Sequence, residues 1–288
     1  MNPRSADTST GSWSQRTRTP VPTRKEPAMT DQHRSIHAEI EVPGTPDEVW
    51  AAIATGPGIS SWYVPHTVEE RSGGAMLASF GPGMEAPGRV AAWEPPDRVV
   101  FDGGEGVDGF AFEWMVDARD GGTCIVRLVN SGFGSGVDWD DQYDAMQDGW
   151  QLFLCNLRLH LEHFRGRQAT ALLPMAVWNA PQPQSWRELC RRLGIDSQVG
   201  VGDRVDIELP EGLGLTGTVA ARGDHSVSLL LVAPADGTAF IAAERAGEQT
   251  SVSIWSYLYG DDRETLAARD GTRWSGWLEA NAPSAPSI

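Results

Sequence analysis

Between residues 36 and 42 apolar and polar positions alternate: Ile36, Ala38, Ile40 and Val42 fall on one side, His37, Glu39 and Glu41 on the other. That period of two predicts a half-buried strand. PGTPDEVWAAIAT follows, with Thr45 as N-cap, Pro46 at the first helical position, and Asp47 and Glu48 at the positive helix end. Val49, Trp50 and Ile53 share one side of this short helix. GPGISSWY predicts a second helical turn before Pro65.

Strands then accumulate, at 66–71, 74–80, 88–93, 98–101, 110–117 and 123–130. They are separated by RSGG, GPGMEAPG, EPPD, DGGEGVDG and DARDGG. Short Gly-rich turns between consecutive strands predict antiparallel neighbours. A long helix from about Asp140 to Arg165 closes the unit. Placing its residues 100° apart puts Tyr143, Met146, Trp150, Phe153, Leu154, Leu157, Leu161 and Phe164 in one stripe. Leu152 and Leu159 fall nearly opposite, with Arg158 and Glu162 between. One face therefore packs on the sheet, and the two leucines predict cover from residues 170–288 or from a second subunit.

The remainder repeats the order of strand, helix, strands, helix. TALLPMAVWN reads as a strand and WRELCRRLG as a helix. DRVDIELP, GLTGTVAA, SVSLLLVAP, TAFIAAER and TSVSIWSYLYG read as strands. DDRETLAARDGTRWSGWLEA reads as a closing helix with a break expected at Gly271.

Three separated motifs carry a family resemblance: VPGTPDEVWAAIATGPGISSWYVP, GRVAAWEPPDRVVF and DGWQLFLCNLRLHLEHF. Residues 35–165 resemble the START-like, or SRPBCC, helix-grip superfamily, and within it the bacterial relatives of the activator of the heat-shock chaperone ATPase. The resemblance implies an α+β fold in which a curved seven-stranded antiparallel sheet grips the last helix, with a cavity between them. Members bind hydrophobic ligands, cyclise polyketides or contact partner proteins, and no universal catalytic residue can be carried across. The repeated order predicts a tandem pair, a helix-grip domain at 34–167 and a degenerate second copy at 168–288, with an unrelated β-rich cap as the alternative for the second half. Residues 1–33, rich in Ser, Thr, Pro and Arg without apolar periodicity, predict a disordered extension, with Met29 as a possible true start.

Composition narrows the partners. The formal charge is −16, with 23 basic against 39 acidic residues, which argues against nucleic acid and anionic membrane. Lys25 is the one lysine, the mark of codon usage in a GC-rich bacterial genome. Cys124, Cys155 and Cys190 have no metal-ligand spacing, and their sparse odd count predicts a reducing cytoplasm. No apolar run approaches the roughly 20 residues of a membrane span.

The aromatic stripe has two readings, plain core packing or the roof of a ligand cavity. In the second, Trp150, Phe153 and Leu157 face a pocket, with Asn156 beside them as a polar handle. Phe110, Phe112 and Trp114 form the opposite wall with Trp93 and Phe80, while Met76 and Met84 add adaptable surface. His160 and His163 are spaced i, i+3 but lack a third ligand, so no metal and no cofactor is expected. His160, Tyr63 and His66 are the candidates for acid–base work. GPGMEAPG reads as a hairpin loop, and the acids of DWDDQYD suit a helix start. The expected function is non-catalytic binding of a small hydrophobic or aromatic ligand. A protein-interaction module acting on a chaperone ATPase and a polyketide cyclase or aromatase are the alternatives.

Overall fold

The computed structural model describes residues 34–81, 83–104, 110–133, 137–196 and 198–283; for 34, 133, 137–145 and 148 the backbone alone is described. The extension with Met29, the turn residues 105–109, and the side chains of DWDDQYD, including Tyr143, lie outside the described residues.

Strand β1 (Arg34–Pro43) leads into α1 (Pro46–Ala54) and α2 (Gly56–Ile59). Thr45 closes a full capping box: its hydroxyl accepts from the Glu48 amide at 3.3 Å, and the Glu48 carboxylate accepts from the Thr45 amide at 2.8 Å. Helix α2 starts against α1 so closely that a Cβ on Gly58 would sit 1.9 Å from the Ala51 carbonyl oxygen, so only glycine fits.

Six strands follow: β2 (His66–Val68), β3 (Ala75–Ser79), β4 (Glu85–Glu94), β5 (Arg98–Asp102), β6 (Ala111–Arg119) and β7 (Thr123–Phe133). They join β1 in one antiparallel sheet of order β1-β7-β6-β5-β4-β3-β2. Helix α3 (Val137–His163) packs on it. Leu154, Leu157 and Leu161 are sealed in the first core with Trp50, Ile53, Val126 and Leu128, each such burial contributing roughly 1.5–3 kcal/mol.

The second half repeats this path with one strand fewer. Its first strand is split into β8 (Thr170–Leu172) and β9 (Met175–Trp178). Pro174 stands at the break; it has no N–H for a ladder, but its carbonyl accepts from the Ile254 amide at 3.1 Å. Helix α4 (Gln182–Leu193) takes the place of α1 and α2. A meander of β10 (Arg204–Leu209), β11 (Leu213–Gly223), β12 (Ser226–Ala233), β13 (Gly237–Ala246) and β14 (Gln249–Leu258) then leads to α5 (Arg263–Ala280). The order is β10-β11-β12-β13-β14-β8, with β9 also on β14. The chain is thus a tandem α+β helix-grip pair. The break expected at Gly271 is absent: α5 runs through it from Arg263 to Ala280, since a glycine inside a helix costs only about 1 kcal/mol against alanine.

Sheet two is covered on both faces. Val252, Ile254 and Leu258 point into a core with α4 and α5, while Trp255 and Tyr257 point the other way, toward α3. This double burial explains why TAFIAAER and SVSIWSYLYG read as nearly continuous apolar runs. Leu159 is 3% exposed, and Leu152 packs half-buried against the layer that holds Phe240 and Trp255. The cover for the far side of α3 comes from this chain's own β12 and β13. Phe164 departs from its predicted stripe. It leaves the first core and stacks on Tyr259 with ring centroids 4.0 Å apart and planes at 7°. The seam is also hydrogen-bonded. The Tyr259 hydroxyl donates to the Ser61 carbonyl at 2.9 Å, so the His160 Nδ1–H must donate to Tyr259, 2.7 Å away.

Candidate functional site: an aromatic cavity under the long helix

Met146, Trp150 and Phe153 follow one another at four and three residues along α3, which aims all three at the same region of sheet one. Opposite them, Phe112 and Trp114 alternate on β6 with Phe110 just before it, and Phe101 pairs across from Phe112. The turn after α2 brings in Trp62 and Tyr63. Between these walls lies a cavity of about 680 Å³, bordered further by Ile53, Ile59, His66, Met76, Ala78 and Phe80. Ala86 and Pro87, both exposed, and Asp102 and Gly103 form its rim.

The walls hold one another by ring contacts. Tyr63 lies 4.5 Å from Phe153 and 5.3 Å from Trp150, measured between ring centroids, and Phe80 meets it edge-on at 6.2 Å. Trp150 also meets Trp114 edge-on at 5.5 Å and donates its indole N–H to Asn130 at 3.3 Å. Edge-to-face pairs of this kind add roughly 0.5–1.5 kcal/mol each beyond burial. The indole of Trp62 donates to the Ala52 carbonyl at 2.9 Å, tying the α2 turn to α1.

Few polar groups reach the cavity. Burial pulls His66 down to about 4, opposed by its bond to the Val64 carbonyl, so the imidazole is neutral at pH 7. Its Nδ1 lies 2.7 Å from that carbonyl, which can only accept, so Nδ1 carries the hydrogen and Nε2 keeps a lone pair. Burial pushes the Tyr63 phenol far above its ordinary value, so it stays protonated. At the rim, the Arg89 guanidinium hydrogen-bonds Asp102 at 2.7 Å and holds its carboxyl below the usual range. Among the described residues the inner lining is therefore uncharged at neutral pH, and the Asp102 carboxylate is paired with Arg89 at the mouth.

Of the residues singled out from sequence, Trp150, Phe153, Phe110, Phe112, Trp114, Phe80, Met76, Tyr63 and His66 border this cavity. Five do not. Leu157 is fully enclosed in the solid part of the core. Trp93 turns to meet Trp50 edge-on at 5.0 Å. Met84 is 48% exposed on the hairpin loop. Asn156 donates to the Trp62 carbonyl at 2.7 Å, a bracket for the α2 turn and no handle for a ligand. His160 does not border the cavity; its Nδ1 is occupied by Tyr259, and burial pulls it down to about 4. Ile53, Ile59, Trp62, Phe101 and Met146 border the cavity without having been singled out as its lining. Met146 lay in the helical stripe, and Phe101 shares the face of β5 that pairs with β6, but Trp62 depended on the path of the turn.

Residues 43–162 match the family model described as "Activator of Hsp90 ATPase homolog 1-like protein". This match and the helix-grip architecture of the segment support its place in the SRPBCC superfamily, AHSA1-like branch. No curated protein matches the chain. Among solved structures, the di-domain ARO/CYC BexL from the BE-7585A biosynthetic pathway is 16% identical, with a TM-score of 0.41 over 88% of this chain and all of that one. A Bacillus halodurans protein solved in solution is 20% identical, with a TM-score of 0.41 over 46% of this chain and 99% of that one. The Aha1 dimer from Colwellia psychrerythraea is 18% identical, with a TM-score of 0.39 over 46% and 99%. Among the described residues no group of His, Cys, Asp and Glu is placed to hold a metal, and no helix is long and apolar enough to cross a membrane.

Proposed function

We propose that the first half of the chain binds a small, uncharged, largely aromatic molecule in the cavity under α3 and does no chemistry on it. The observation that carries this reading is the cavity itself: about 680 Å³, walled by rings and, among the described residues, without a charged group inside. Ligand sites generally fall at roughly 300–1,000 Å³ with mostly apolar walls and a few placed polar groups. An ion entering here would lose its water without gaining a counter-charge. Thermal denaturation and tryptophan-fluorescence quenching with a panel of neutral polycyclic aromatics and their sulfonated analogues test this. Neutral members should raise Tm with concentration and sulfonated ones should not. A panel in which no neutral compound alters either signal would end this reading.

One observation favours a second reading, a cyclase or aromatase: His66 offers a free Nε2 lone pair beside Tyr63, whose ring lies 5.6 Å away. A base pulled down to about 4 is weak at neutral pH, which is why binding ranks first. Turnover of an aromatic precursor that vanished in both His66→Gln and Tyr63→Phe would reverse the ranking. A chaperone-facing role is suggested by the family description alone. It requires this protein to alter the ATPase rate of a heat-shock chaperone.

A further inference from the structure

The seam behind the cavity holds four polar groups that packing does not call for. Thr238 Oγ1, Ser253 Oγ, Trp255 Nε1 and the Tyr257 hydroxyl are buried without a hydrogen-bond partner among the described residues. All four belong to the same face of β13 and β14: Thr238 pairs with Tyr257, and Ser253 and Trp255 follow at two-residue steps. Each such orphan costs about 1–3 kcal/mol, and native interiors keep few. Phenylalanine at 257 would fill the same space without that cost.

Trp255 lies one ring beyond the cavity and Tyr257 two. Phe153 borders the cavity and is 5.6 Å from Trp255 and 5.7 Å from Phe240, which in turn is 6.4 Å from Tyr257. Tyr63 borders the cavity too and packs in the same cluster as Trp255 and Tyr257. Its phenol is near enough to oppose ionisation of Tyr257. Phe153, only half-buried, is the ring that stands between the cavity and Trp255.

We propose that the ligand site continues past Phe153 into this seam, where Trp255 Nε1 and the Tyr257 hydroxyl together bind an acceptor oxygen of the ligand, a ketone or quinone carbonyl. An indole N–H only donates and a phenol donates readily, while a carbonyl oxygen has two lone pairs, so one oxygen satisfies both orphans. The second half of the chain thereby supplies the specificity that the all-aromatic cavity lacks. This rests on the ligand-binding reading above.

The test compares fluorene with 9-fluorenone, which differ by one carbonyl oxygen, on the full chain by tryptophan-fluorescence quenching. Both should bind, fluorenone roughly tenfold more tightly. Trp255→Phe and Tyr257→Phe should each remove most of that advantage and leave fluorene binding unchanged. Tyr257→Phe should also keep or raise the Tm of the free protein, because it deletes an unpaired hydroxyl. Equal affinity for the two compounds, or an advantage that survives both substitutions, would overturn the seam site while leaving the cavity reading intact. If neither compound binds, the cavity reading fails and the seam site with it.

Discussion

Two halves with one topology differ in what they do with their interiors. In the first, large rings on β6, in the turn after α2 and on α3 prop one another apart at the edges and leave a hollow. In the second, the space between sheet and helix is filled by Trp178, Trp274 and Leu278, at most 2% exposed, with the Trp178 indole donating to the Leu278 carbonyl at 3.0 Å. The second half instead develops its outer face, which packs on α3 and carries Trp255, Tyr257 and Tyr259 toward the first. A repeated fold therefore does not repeat its packing. Hollow or solid is decided by where the bulky side chains sit on the shared framework.

The contrast breaks most readily at Trp274. Trp274→Ala should cost about 3–5 kcal/mol, because it digs a hole in a filled core. Phe112→Ala should cost distinctly less in thermal or urea denaturation, because it only enlarges a space already present, while weakening the quenching by neutral aromatics. Equal losses would mean that the first core is no less tightly packed than the second.

Joining of the halves is the next test. Leu159→Ala should cost about 2–3 kcal/mol and shift Tm in the same direction for both halves if they melt together. Two separate transitions that move independently would show that the seam contributes little.

Acid should weaken the same seam. His160 is held neutral by burial, with its value drawn from 6.5 down to about 4. The unfolded chain therefore binds the proton first, and stability fully present above about pH 6.5 is lost as pH falls toward about 4, by roughly 3 kcal/mol. Urea titrations across that range should show the slope, and His160→Gln, which keeps a donor for Tyr259, should flatten part of it. His66 contributes in the same direction, from the cavity side.

The smallest effect concerns the helices that occupy the same slot in each half. Helix α1 is closed by the Thr45–Glu48 box, whereas α4 begins at Pro181 without a side-chain cap. Thr45→Ala should cost about 1 kcal/mol, and Pro181→Ser should recover a fraction of that for α4. A loss at Thr45 of under a few tenths in urea titrations would show that tertiary packing alone holds α1.

Much of this was legible in the chain. Alternation at 36–42, the Thr45 cap, the Gly-rich turns and the helical stripe place β1 through α3 within a few residues, because local periodicity reports which side faces the core. The second half was harder. Its strands are apolar on both faces, so their period says little, and Pro174 divides the first of them. Side chains next to one another on α3 also proved to serve different ends. Phe153 borders the cavity, Asn156 brackets the α2 turn, Leu157 fills the core and His160 fastens the seam.

Sequence alone determined the order of elements, the helix-grip class, the acidic balance and the need for something to cover Leu152 and Leu159. Tertiary structure alone decided that the cover is the outer face of the chain's own second sheet. It also decided that one interior is hollow and the other full, and that Trp255 and Tyr257 lie behind the cavity wall. The physical reason is one of range. Periodicity and caps are set by neighbours within a turn or two, whereas a cavity and an unpaired buried donor depend on side chains about a hundred residues apart.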